Sequence, residues 1–157
     1  AKPIPNWIAR VIGCSAIWPR CAPKPLPVPI LVDTGAVELL RRRERRTETF
    51  ALRHYPPVIC THVVGEFLFG QAHAEVSAAA FQEAREFLDS FEILRPNANT
   101  AALYGRLRAQ LLSGGVQLPD SDYWIAAHAL ENRLPLLFTD RDFQHMPDLV
   151  VHYLSAQ

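Results

Sequence analysis

The stretch "LPDSDYWIAAHALENRLPLLFTDRDF", residues 118–143, decides the fold because it joins a helical pattern to a short apolar run. The run "LPLLFT" is typical of a buried strand, and "PDSDYWIAAHALENR" before it is typical of a helix. Asp120 and Asp122 stand at the start of this unit, and Asp140 and Asp142 stand at its end. Helix caps and surface charge would explain one pair of acids, whereas a divalent-metal site would explain both.

The alternation of strand and helix patterns begins at residue 30. Apolar runs predict strands in "PILVDTG", "PPVICT", "FEILRP", "LPLLFT" and "LVVHYL". Longer patterns predict helices in "AVELLRRRERRTETFALRH", "HVVGEFLFGQ", "AEVSAAAFQEAREFLDSF", "NTAALYGRLRAQLLSGG" and "PDSDYWIAAHALENR". Strands that alternate with helices indicate an α/β domain with a mainly parallel central sheet and helices on both faces.

Residues 1–29 differ in composition from the rest of the chain. They contain seven of the 13 prolines, and their apolar residues do not follow the spacing of a helix or a strand. We therefore expect a proline-rich N-terminal extension followed by one domain, residues 30–157. The extension carries four basic residues and no acid in a chain of zero net charge, so the domain is net acidic. Such a domain needs metal ions or a local basic patch to bind a polyanion.

The cysteine pattern indicates a reducing, cytoplasmic setting. Cys14, Cys21 and Cys60 are odd in number and widely spaced, which argues against a disulfide framework, and no CxxC pair suggests zinc. No apolar stretch reaches the length of a membrane span. We expect a protein that does not associate with membranes.

Four acids follow or face the predicted strand ends. Asp33 ends "ILVD" and Asp140 ends "LLFTD", so both belong at the carboxyl edge of the sheet, where ligands of open parallel sheets bind. Asp122 lies in the first turn of a helix, and Glu66 lies early in the helix after "VICT". Converging carboxylates repel one another unless a cation joins them, and Mg²⁺ or Mn²⁺ prefers such oxygens.

The segments "ILVDTGAVELL", "THVVGEFLFG", "LPDSDYWIAAHAL" and "LPLLFTDRDF" together resemble the PIN-domain nucleases. The likeness is strongest to the VapC-like toxins of toxin–antitoxin pairs, and it runs in family order over residues 30–143. It implies an α/β/α sandwich with metal-dependent endoribonuclease activity, RNA as substrate, a small protein antitoxin and a homodimer. It also implies that Asp33, Glu66, Asp122 and Asp140 are the catalytic, metal-binding acids.

By the same resemblance, Asp142 is an auxiliary metal-binding acid and Thr34 hydrogen-bonds within the site. The chain departs from the family at Gly35, where Asn is common, and in the proline-rich extension. Two alternatives stay open. One is a non-catalytic PIN-like module that binds RNA or protein. The other is a phosphohydrolase with an aspartyl nucleophile, although Gly35 stands where such enzymes usually have a second acid.

Four other features have ordinary structural interpretations. Asp120 follows a proline before a helix, so we interpret it as an N-cap. The run "RRRERR", residues 41–46, could contact RNA phosphates, but six consecutive charges encircle a helix and some must face water. We interpret Trp124 as a packing residue and not as a platform for a base. His128 is interpreted as a packed helix residue and not as a ligand.

Overall fold

A parallel five-stranded sheet forms the centre of the molecule, and its strand order is β3-β2-β1-β4-β5. The computed structural model describes residues 28–45, 47, 56–139, 143–144 and 146–154. The strands are β1 (Ile30–Val32), β2 (Pro57–Cys60), β3 (Glu92–Leu94), β4 (Leu136–Phe138) and β5 (Val151–Tyr153). Every neighbouring pair is parallel; Leu31, for example, pairs with Val58 on one side and with Leu136 on the other. Each strand falls within a run predicted to be a strand.

Helices occupy the connections from β1 to β2, from β2 to β3 and from β3 to β4. They are α1 (Thr34–Arg41), α2 (Thr61–His73), α3 (Ala78–Leu88), α4 (Ala98–Ser113) and α5 (Asp120–Asn132). The side chains of β1, β2 and β4 are buried at every position, as expected when helices cover both faces of a parallel sheet. The predicted α/β/α sandwich with a parallel central sheet is therefore confirmed.

Later strands are added on both sides of β1, so the direction of the strand order changes between β1 and β4. From β1 the chain adds β2 and then β3 on one side, and it returns through α4 and α5 to place β4 on the other side of β1. Right-handed crossovers then place the helices of these two halves on opposite faces. The gap beyond the carboxyl ends of β1 and β4 is the switch point, where ligands of such sheets bind.

The first helix is shorter than predicted. It ends at Arg41, although the helical pattern continues to His54, and residues 48–55 lie outside the described part of the chain. Arg43 adopts a left-handed conformation with φ 56°. Its N–H donates to Leu40 O, and the N–H of Glu44 donates to Leu39 O, which together form a Schellman C-cap. The arginine run therefore leaves the helix after its first member.

The third helix also begins later than its pattern. The Ser77 hydroxyl accepts from the N–H of Ala80 at 3.2 Å, so the helix begins at Ala78. Its buried side chains are Ala84 and Leu88, which are four residues apart and therefore lie on one face of the helix. The fourth helix ends as predicted, with Gly114 as its C-cap.

Helices α4 and α5 form an antiparallel hairpin that is tied at both ends by polar contacts. At one end Glu131 of α5 accepts from the Thr100 hydroxyl and from the Asn97 side chain. At the other end Asp120 of α5 accepts from Tyr104 of α4. Among the described residues, no helix combines the length and the apolar character that a bilayer span requires.

Candidate functional site

Asp33 is fixed at the switch point by three hydrogen bonds. It follows β1 directly and caps α1, because its Oδ1 accepts from the N–H of Ala36 at 2.6 Å. Its Oδ2 accepts from the N–H of Thr139 at 3.0 Å and from the Thr139 hydroxyl at 3.4 Å. Thr139 follows β4 directly, so this carboxylate links the ends of the two strands that flank the switch point. The Asp33 residue is only 4% exposed.

Burial dominates the electrostatics of Asp33. Desolvation raises the pKa of its carboxyl from 3.8 to about 6, and the negative charge of Glu66 adds to the rise. The hydrogen bonds from Thr139 and Ala36 act in the opposite direction because they favour the ionised form. The net effect is a buried carboxylate that is costly to hold in its charged form.

Glu66 lies beside Asp33 at the same edge of the sheet. It belongs to the second turn of α2, is half-buried, and accepts a hydrogen bond from the hydroxyl of Thr34, the residue next to Asp33. This contact agrees with the interpretation that Thr34 hydrogen-bonds within the site. Among the described residues, no lysine or arginine forms an ion pair with Asp33 or Glu66. The structure thus brings together two acids that none of the basic side chains in its described part neutralises.

The other three acids of the predicted site differ in how far the structure describes them. Asp122 lies half-buried in the first turn of α5. A short loop joins the end of α5 to the start of β4, so the beginning of α5 points toward the carboxyl edge of the sheet. Asp140 and Asp142 lie outside the described residues. Asp140 is, however, the next residue in sequence after Thr139, whose N–H binds Asp33.

Gly35 is required by the close approach of Thr139. A Cβ built at position 35 would lie 1.8 Å from the Thr139 hydroxyl oxygen and 3.1 Å from its Cβ. A larger residue fits only if the Thr139 hydroxyl moves from its present position. Sequence reasoning missed Thr139, although its place next to Asp140 at the end of a predicted strand could have indicated it.

Asp120 is not the helix cap that its sequence context suggests. The N-cap of α5 is Pro119, and no side chain caps that end of the helix. The Asp120 carboxylate instead accepts from the hydroxyl of Tyr104 at 2.6 Å and pairs with Arg108 at 2.5 Å. Asp120 therefore stabilises the α4–α5 hairpin, and its negative charge has a cationic partner, whereas no described lysine or arginine pairs with Asp33 or Glu66.

Trp124 packs with both of its faces covered. Its ring stacks on Tyr104 with 4.3 Å between centroids and on His62 with 4.8 Å. A base could stack on this indole only by displacing one of those rings. The interpretation of Trp124 as a packing residue is confirmed.

Part of the arginine run is committed to local contacts. Arg41 donates to Gln71 at 3.0 Å, and Arg42 pairs with Glu38 at 3.0 Å. Arg43 is exposed in the turn, and Arg46 lies outside the described residues. Arg41 and Arg42 thus stabilise the α1 region, which agrees with a largely structural interpretation of the run.

A second group of side chains, Cys60, His62 and His128, was not predicted from the sequence. One ligand atom from each lies within 4.8 Å of the other two. Burial raises the pKa of the Cys60 thiol to about 11 and lowers that of His128 to about 4. Sulfur and nitrogen donors suit Zn²⁺, whereas the oxygen donors of Asp33 and Glu66 suit Mg²⁺ or Mn²⁺.

Comparisons with known proteins agree on one family of folds. A family model described as PIN domain matches residues 30–149. The structure is similar to that of VapBC2 from Rickettsia felis bound to a promoter DNA fragment, with 20% identity and a TM-score of 0.71 over 82% of this chain and 100% of that chain. DNA-bound VapBC from Salmonella typhimurium is 24% identical, with a TM-score of 0.68 over 80% of this chain and 98% of that chain.

A toxin–antitoxin complex from Klebsiella pneumoniae is 25% identical, with a TM-score of 0.61 over 78% of this chain and 95% of that chain. A search of curated protein sequences finds no significant match.

Proposed function

The chain belongs to the PIN domain family, and from this premise we propose that it is a Mg²⁺- or Mn²⁺-dependent endoribonuclease, a hydrolase of RNA phosphodiester bonds. The observation that supports this most directly is the pair formed by Asp33 and Glu66. Both acids lie at the switch point of the sheet, and none of the described lysines or arginines neutralises them. Burial and, to a smaller extent, the charge of Glu66 raise the pKa of Asp33, and a hard divalent cation would offset both effects by stabilising the ionised carboxylate.

In this proposal, Asp33, Glu66, Asp122 and Asp140 hold the metal ion, and Asp142 assists. When bound, the ion supplies an activated water and stabilises the negative charge that develops on the phosphate. The protein's own contribution is rigid positioning. The N–H groups of Ala36 and Thr139 hold both Asp33 oxygens, and the Thr34 hydroxyl orients Glu66.

We also propose that the protein is the toxin of a toxin–antitoxin pair, with a protein antitoxin, a homodimeric state and a cytoplasmic location. The similar structures from Rickettsia felis, Salmonella typhimurium and Klebsiella pneumoniae support this, since their descriptions are of VapBC or toxin–antitoxin complexes. The nuclease domain is proposed to be residues 30–157, with residues 1–29 as an extension. Light scattering coupled to size-exclusion chromatography tests the dimer.

The decisive experiment compares two neighbouring acids of α5. Asp122 is a proposed metal ligand, whereas Asp120 is engaged by Tyr104 and Arg108. Purified wild-type protein, D33N, D122N and D120N are incubated with cellular RNA and Mg²⁺ or Mn²⁺, with and without chelator. We expect D33N and D122N to lose at least about 100-fold in cleavage rate, since even partners of metal ligands typically contribute roughly 10- to 100-fold.

The D120N protein should cut RNA at close to the wild-type rate. The chelator should abolish cleavage by D120N and by the wild-type protein. Induced expression in bacteria should arrest growth with wild-type protein and D120N, but not with D33N or D122N. Equal cleavage by folded D122N and D120N would contradict the assigned site. Binding of RNA without cleavage, in the presence of either metal, would favour the non-catalytic alternative.

A further inference from the structure

We propose that Cys60, His62 and His128 form a second metal site, selective for Zn²⁺ and distinct from the carboxylate site. Cys60 ends β2, His62 lies in the first turn of α2, and His128 lies in the middle of α5. Thiolate and imidazole are the ligands that zinc sites use, and three protein ligands leave the fourth tetrahedral position to water. The proposal stands on this geometry and does not depend on the nuclease activity.

The distances are close to those of a zinc centre. Zinc–sulfur and zinc–nitrogen bonds of about 2.3 and 2.0 Å at tetrahedral angles place the ligand atoms roughly 3.3 to 3.7 Å apart. No two of the three ligand atoms are more than 4.8 Å apart. Closing the remaining gap takes a shift of about 1 Å, which small side-chain rotations provide without movement of the strand or the helices.

Unpartnered nitrogen atoms point to a missing ligand. His128 is fully buried, and neither of its ring nitrogens has a hydrogen-bond partner among the described residues; the same is true of the Nδ1 of His62. Buried polar atoms without a partner are rare and costly because they lose their bonds to water. A packed histidine without function would be expected to have at least one hydrogen bond. A metal ion would satisfy one nitrogen of each ring.

The surroundings of the group favour a fixed site. His62 stacks on Trp124 with the planes 7° apart, and this contact holds the imidazole beside His128 at 5.7 Å between centroids. A bound ion would join the β2–α2 junction to α5. These are the segments that carry Glu66 and Asp122, so zinc would fix the spacing of two helices at the carboxyl edge of the sheet.

Cobalt(II) is the probe that tests the site, since it takes zinc's tetrahedral geometry and its thiolate complexes have a charge-transfer band in the near ultraviolet. The experiment uses the full chain with Cys14→Ser and Cys21→Ser, so that Cys60 is its single thiol. We expect one equivalent of Co²⁺ to produce the thiolate band and Zn²⁺ to displace it. Zn²⁺ should also raise the Tm of the protein, since it binds the folded state.

Matched variants separate this site from other histidines and from the acids. Cys60→Ser should lose the band, and His62→Gln and His128→Gln should weaken binding of Co²⁺ by at least about 10-fold. His73→Gln, an exposed histidine at the end of α2, and Asp33→Asn should retain both the band and the rise in Tm. His62 is half-buried, so its variant is informative even where a buried substitution unfolds the protein. A band that is absent, survives Cys60→Ser, or disappears in Asp33→Asn would overturn the proposal.

Discussion

Opposing effects act on the ionisation of the Asp33 carboxyl group. Hydrogen bonds from Ala36 and Thr139 stabilise the ionised form, but burial and the charge of Glu66 outweigh them and raise the pKa to about 6. A pKa that is higher in the folded than in the unfolded chain means that ionisation destabilises the fold. The neutral form of Asp33 thus stabilises the folded chain relative to the ionised form. This contribution to the free energy of unfolding is complete below pH 3.8 and is lost as the pH rises through about 6.

We therefore predict that Asp33→Asn stabilises the metal-free protein at neutral pH. Holding the charge of Asp33 at pH 7 costs about 3 kcal/mol of folding free energy, and the neutral amide avoids this cost. The gain is only partial, because the NH₂ group of the amide cannot accept a hydrogen bond from the Thr139 N–H. The expected gain in the free energy of unfolding is about 1 to 2 kcal/mol at pH 7 and close to zero at pH 4. Urea unfolding in chelator at both pH values measures it. A variant that is less stable than wild type at pH 7 would show that the hydrogen bonds dominate.

The contact of Gly35 with Thr139 predicts a coupled pair. Gly35→Ala places a methyl group 1.8 Å from the Thr139 hydroxyl oxygen, so the threonine must rotate and weaken its bond to Asp33. We expect a loss of about 1 to 3 kcal/mol in the free energy of unfolding. Thr139→Ala removes the hydroxyl, so the double variant should lose less than the sum of the single variants.

Gly65→Ala is the control for this cycle, since nothing lies within 4 Å of a Cβ at that helical position. It should be neutral or stabilising by up to about 1 kcal/mol, because alanine favours a helix over glycine. If the losses in the free energy of unfolding for Gly35→Ala and Thr139→Ala were strictly additive, the close approach of the two residues would contribute nothing to stability.

At the scale of the elements, two helices end at an arginine in the left-handed conformation. Arg43 follows α1 with φ 56°, and Arg133 follows α5 with φ 53°. Glycine adopts this conformation without the clash of a Cβ. Arg133→Gly should therefore raise the free energy of unfolding by about 0.5 to 1 kcal/mol. Arg106→Gly, an exposed position inside α4, should lower it by about 1 kcal/mol. Thermal unfolding of both variants checks the signs, and a loss in both would contradict the assigned C-cap.

The element boundaries show what the sequence could and could not predict. All five strands were predicted from short runs rich in β-branched and apolar residues, although only β1, β2 and β4 are buried at every position. The predicted helix "NTAALYGRLRAQLLSGG" ends in two glycines, which are typical of a helix end, and the first of them, Gly114, is the C-cap of α4. The end of α1 was missed because arginine has a high helix propensity and carries no stop signal, so the left-handed conformation of Arg43 cannot be read from its residue type.

The same distinction applies to the sites. The position of Asp33 was predicted because an acid that directly follows a buried parallel strand lies at the carboxyl edge of the sheet. The group of Cys60, His62 and His128 was missed, and its spacing in sequence resembles no zinc motif. His128 was interpreted as a packed residue, and only the packing of α5 on the β2–α2 junction brings it within reach of Cys60.

At the scale of the whole molecule, strand order decides which residues meet. The alternation of elements predicted a parallel sheet, but it did not predict that β4 lies beside β1 and not beside β3. That placement brings Thr139 to Asp33 across 106 positions of sequence. Long-range pairing of this kind depends on which helical faces cover the sheet, and such information is spread over the chain.

This topology predicts that metal binding stabilises the whole domain. An ion held by acids that follow β1 and β2 and begin α5 binds only the folded chain, so it stabilises by mass action. Mg²⁺ at about 100 times its Kd should raise the free energy of unfolding by about 2.7 kcal/mol at pH 7. The gain should shrink as the pH falls below about 6, because protons then compete for Asp33. We expect the same gain in D120N and none in D33N, as measured by thermal unfolding with and without Mg²⁺. An equal Mg²⁺ effect in D33N would place the ion elsewhere on the surface and remove the physical basis of the proposed nuclease site.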